Sequence, residues 1–133
     1  MKPANLILTV LFMLIAGGQF AMADSDAMAA GATPAIKQMA SILADLNHYP
    51  DESGKAALQQ IIDDVSASES ERTIAAAIAS LEHKASAADK AKLQAVANDK
   101  NAPPAARDVA NIVLNLNHKP SASDKEALNK IMQ

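Results

Sequence analysis

The side chains best suited to chemistry are three histidines, His48, His83 and His118, spaced 35 and 35 residues apart. Imidazole is the commonest metal ligand and also holds haem iron, so a regular set of three suggests ligation of an ion or of haem. Geometry sets the condition. Packed helices lie about 8–10 Å apart, whereas Zn–N bonds are about 2.0–2.1 Å. Histidines on adjacent elements would share an ion with help from a carboxylate. In a straight stack His48 and His118 stand too far apart for one ion, and all three converge only in a closed, nearly three-fold bundle. The competing expectation is structural. Each histidine is placed in the last turn of a helix, where the helix dipole favours a cation and an N–H can satisfy an open carbonyl. On the sequence that helix-end role leads, and metal ligation by His48, His83 and His118 is the rival.

Other reactive groups are thin. Lys55, Lys90 and Lys125 share the 35-residue spacing but fall in the first turn of a helix, a poor place for a cation, and read as solvated ion-pair partners. Asp63 and Asp64 lack the alternating oxygen ligands of a calcium loop. Met28, Met39 and Met132 are too dispersed for a copper-binding run. There is no cysteine, which excludes disulfides, thiolate metal sites and a thiol-linked lipid anchor. No phosphate-binding glycine loop, HExxH pair or nucleophile elbow occurs, and the serines sit where helices begin. The chain is read as non-enzymatic, with no cofactor expected.

The elements that would position the histidines belong to an internal repeat. Leu46–Ile61 and Leu116–Ile131 are identical at nine of 16 positions, and Leu81–Val96 matches the third copy at eight of 16. Each copy reads as two helices. Ile36, Met39, Leu43 and Leu46 recur at three- and four-residue intervals, with Ile74, Ile78 and Leu81, then Val109, Val113 and Leu116, as counterparts. Thr33-Pro34 and Ser68-x-x-Glu71 are helix starts, and Pro104 repeats the place of Pro34. Pro50 and Pro120 stop the first helix of their copies. Asn47 and Asn117 suit the left-handed residue that commonly closes a helix. Second helices begin at Asp51, Ser86 and Ser121, with Leu58, Ile61, Ile62 and Val65, Leu93 and Val96, and Leu128, Ile131 and Met132 on their apolar sides. Residues 98–104 form the longest link and a possible hinge. No segment alternates with period two. The expected class is all-α: three 35-residue αα-hairpin repeats (33–67, 68–102, 103–133), six helices in all, forming a short solenoid or a compact helical bundle. The period is close to that of tetratricopeptide repeats, but the aromatic and glycine positions of that pattern are missing.

Ahead of the array, Lys2, an apolar run from Leu6 to Ile15 and Ala21-Met22-Ala23 have the three parts of a cleavable secretory signal, 1–23. The run is too short for a membrane anchor. Residues 24–32 read as a flexible lead-in to a domain over 33–133. A periplasmic or secreted location follows, with no stable membrane anchor after cleavage. Net charge is −3, one unit lower without Lys2, and the basic residues are scattered, which disfavours nucleic acid and anionic lipid. Aromatic residues make up 2% of the chain, so the core rests on Leu, Ile and Val between alanines. Hairpin arrays generally offer concave faces to peptides or proteins. The leading expectation is an exported interaction or scaffold module with an unidentified protein or peptide partner. Homo-oligomerisation through an uncapped last hairpin at Ile131 and Met132 belongs to that reading. The alternatives are a metal or haem carrier using the histidines and a pH-responsive stress protein whose histidines gain charge together.

Overall fold

A computed structural model describes residues 31–133. The signal read at 1–23 and residues 24–30 of the lead-in lie outside the described residues. Six helices follow one another: α1 (Pro34–Ala44), α2 (Glu52–Asp63), α3 (Glu69–Ala79), α4 (Ala87–Asn98), α5 (Pro104–Asn115) and α6 (Ala122–Met132). Among the described residues there is no strand, only isolated bridges such as Asn47 to Tyr49. No described helix is long and apolar enough to cross a membrane.

The helices start where side-chain oxygens can accept from free backbone N–H groups. Thr33 caps α1 through the Ile36 N–H, and Asp51 caps α2 through the Gly54 N–H at 2.6 Å. Ser68 and Glu71 cap each other's backbone at α3, and Ser121 with Asp124 does the same at α6. Ser86 accepts from the Asp89 N–H at α4. Only α5 lacks a side-chain cap, and there Pro104 occupies a first-turn position where its missing N–H is harmless.

Three helices form the centre. The helices α1, α3 and α5 each contact the other two, and α2 lies chiefly on α3, α4 on α5, and α6 on α1. Each outer helix therefore packs mainly against the next inner helix, and the last packs against the first. The inner helices meet through matched positions, all fully or almost fully buried: Met39, Ile74 and Val109; Ala40, Ala75 and Ala110; Leu43, Ile78 and Val113. Alanine in the second set lets helix backbones approach closely, because it adds no bulk beyond Cβ. Leu58, Leu93 and Leu128 fill the spaces under the outer helices, each at 0% exposure.

Several local expectations change. Ile131 is buried in the core, so the last hairpin does not end on a bare apolar edge. Val65 is 91% exposed because α2 ends at Asp63, two residues before it. The hinge proposed near 98–104 is a tight connection of the same length as that between α2 and α3. Asp99 Oδ1 accepts from the Asn101 N–H, as Asp64 Oδ1 accepts from Ser66. The inner helices also end sooner than read, at Ala44, Ala79 and Asn115, which leaves the histidines beyond them.

Candidate metal centre

The three segments after the inner helices are built alike. Leu46, Leu81 and Leu116 are buried, and each donates its N–H back to the helix it leaves, to Leu43, Ile78 and Val113 carbonyls respectively. Four residues later Pro50, Ala85 and Pro120 are buried again. Each histidine stands midway between these two anchors and is exposed. The core grips both ends of the loop and presents its middle to solvent.

The loops then bond to one another. The His48 N–H donates to the His118 carbonyl at 2.9 Å, His118 to His83 at 2.7 Å, and His83 to His48 at 3.1 Å. The result is a closed ring of three backbone hydrogen bonds in which every histidine donates once and accepts once. It requires α5 to lie against α1, since His48 follows the first inner helix and His118 the last.

The ring also dictates the backbone. His48, His83 and His118 have φ of 83°, 75° and 70°, and they are the only non-glycine residues at positive φ among those described. The expected left-handed residues were Asn47 and Asn117; the positive φ falls one residue later, on the histidine, because that residue must turn both its N–H and its C=O towards the ring. At the third loop the Lys119 N–H reaches the Asn117 carbonyl at 2.9 Å, the i to i+2 bond of a γ-turn centred on His118. A side chain with a Cβ is disfavoured at positive φ, and such strain gathers at functional sites.

All three imidazoles come together. Ring centroids lie 5.4 Å apart for His48 and His83, 5.5 Å for His48 and His118, and 5.0 Å for His83 and His118. One nitrogen from each ring can be chosen so that all lie within 4.8 Å of one another. The Nδ1 atoms of His83 and His118 are 3.2 Å apart. Two nitrogens on one tetrahedral zinc stand about 3.3 Å apart, given Zn–N bonds of about 2.0–2.1 Å. That separation suits two ligands of one ion and equally a hydrogen bond between the two rings, and a His48 nitrogen lies within 4.8 Å of one on each of them. The structure produces the closed arrangement that the histidine spacing alone left as one option.

Other singled-out residues lie elsewhere. The lysines at 55, 90 and 125 form no ion pair; the one pair within 4.0 Å among the described residues is Lys130 with Glu126, at 3.5 Å. Lys55 instead sits 5.6 Å from the centre of the Tyr49 ring. Desolvation raises the pKa of Asp108 on α5 above the usual carboxylate value, against a smaller opposing pull from Arg107. Hydrogen bonds from Ser66 lower that of Asp64. The sequence reading passed over Glu71 as more than a cap: buried, it accepts from the Thr33 hydroxyl as well as from the Ser68 N–H, so it ties the start of α1 to that of α3. Leu46, Leu81 and Leu116, expected on the apolar faces of the first helices, are instead buried anchors of the loops that carry the histidines.

No protein-family model, curated protein or solved structure matches the chain.

Proposed function

We propose that this protein binds one divalent transition-metal ion, of the zinc, copper or nickel kind, through His48, His83 and His118. The observation that carries the reading is the convergence of three exposed imidazoles on a closed ring of backbone bonds that holds them at positive φ. A helix-end role would need none of this. Glycine or asparagine would terminate each helix with less backbone strain, and no terminator needs three rings gathered in one place.

Imidazole suits these ions, and three nitrogen donors without thiolate or carboxylate fit zinc, copper and nickel better than calcium or magnesium. Ring centroids 5.0–5.5 Å apart favour a single small ion over haem, whose broad plane would have to separate the rings. On this reading the three 35-residue copies close into a pseudo-three-fold ring, each contributing one ligand. The setting is an exported protein that carries or buffers metal, the signal sequence supplying export. An open interaction array has less support, because α6 lies on α1 where such an array would have free ends.

Calorimetric titration with Zn(II), Cu(II) and Ni(II) tests the reading. The expected result is one ion per chain at micromolar affinity or tighter, abolished when all three histidines are replaced by alanine. Absence of micromolar binding, or binding unchanged by the triple replacement, sinks it.

A further inference from the structure

Resting on that reading of the histidine triad, we propose that the bound ion keeps at least one coordination position open to solvent and takes up a small anion there, an azide-sized ion or a carboxylate, beside Lys84 and Lys119. Among the described residues the metal-ligating side chains brought together are three, His48, His83 and His118, with no fourth in the group. The N–H and carbonyl of each histidine are engaged with the neighbouring loops, at 2.7–3.1 Å. All three side chains are exposed, so the side of the ion away from the protein faces water.

Charge then selects the guest. Three neutral imidazoles leave the two positive charges of the ion uncompensated, and the ion is the largest local charge in such a site. The residues following the histidines are Tyr49, Lys84 and Lys119, all exposed, so two of the three loops carry a lysine one residue after the ligand. One carboxylate, Glu82, opposes them from the second loop and is outside the ligand group. A three-histidine set with an open position ordinarily holds water on zinc. Uptake of the anion is a ligand exchange, in which the anion donates a lone pair to the ion and the water leaves with its own.

Cobalt-loaded protein tests this, because the visible absorption of Co(II) reports its ligands directly. Azide and acetate are titrated in separate runs, with calorimetry following cobalt itself. We expect a saturable spectral change at one anion per ion. In the double variant Lys84→Ala, Lys119→Ala, the anion should bind several-fold more weakly while cobalt still binds. Cobalt that binds one-to-one but whose spectrum neither anion alters overturns the open position and leaves metal binding standing. Undiminished anion affinity in the double variant overturns the part given to the lysines. Failure of cobalt to bind at all removes the triad reading and this inference with it.

Discussion

A histidine at positive φ carries two opposed demands, and substitution separates them. His83→Ala removes the imidazole and keeps a Cβ in a conformation that disfavours it; His83→Gly removes both. Because left-handed backbone costs an L-residue about 1–2 kcal/mol, the glycine variant should resist urea better than the alanine variant by about 1 kcal/mol. Both should lose most metal affinity. Equal stabilities would show that the φ of 75° at His83 stores no strain. Asp108 makes a second residue-scale case. Burial raises its folded pKa, so the folded state holds the proton more tightly than the unfolded chain does, and the group's contribution to stability falls as pH rises from the ordinary carboxylate value through the raised one. Asp108→Asn should therefore match the wild type in acid and gain on it above that window, as read from urea midpoints across pH. A constant difference at all pH values would contradict the burial argument. The sequence could name the histidines and their spacing but not their backbone state. Positive φ is imposed by hydrogen bonds to residues 35 and 70 positions away, and local pattern placed it on Asn47 and Asn117 instead.

At the scale of elements, the caps and apolar stripes were legible because they are local. Thr33, Asp51, Ser68, Ser86 and Ser121 all start the helices expected of them. Helix ends were less so, since Leu46, Leu81 and Leu116 continue the apolar spacing of the inner helices while already lying in the loops. Their burial serves the loop anchor, not the helix face. The matched outer positions yield a test of how evenly the molecule is built. Leu58→Ala, Leu93→Ala and Leu128→Ala each empty a fully buried site and should cost about 2–5 kcal/mol in denaturant unfolding. Within that range Leu93 should matter most to its own helix, because α4 has besides it only the less completely buried Val96, where α6 buries both Leu128 and Ile131 fully. Faster amide exchange across α4 in Leu93→Ala than in the wild type, with α1 and α6 little changed, is the expected pattern; uniform acceleration would mean that α4 has no separate opening. Ser68→Ala should cost about 1 kcal/mol through the lost cap of α3.

For the whole molecule, what the repeat could not specify was whether three hairpins stay open or close. The rotation from one copy to the next decides that, and it depends on how closely the inner helices approach at Ala40, Ala75 and Ala110, a tertiary quantity without a local signature. Closure makes ligand and fold parts of one equilibrium. An ion held by His48, His83 and His118 joins loops from the first, middle and last thirds of the described chain, so it binds only where the last repeat closes on the first. At a zinc concentration 100 times its dissociation constant, an ion that binds only the folded form adds about 2.7 kcal/mol. For a domain of this size that corresponds to a rise in Tm on the order of 10 °C. Two variants divide the effect into its causes. Ile131→Ala weakens the seam between α6 and α1 without touching a ligand, so its Tm should be lower than that of the wild type but still rise by a similar increment with zinc. His118→Ala leaves the seam packed and should give up most of the increment. If His118→Ala retains the full rise, zinc stabilises the protein from somewhere other than the triad; if Ile131→Ala alone loses it, the ring of loops is too loosely held at the seam to assemble the site.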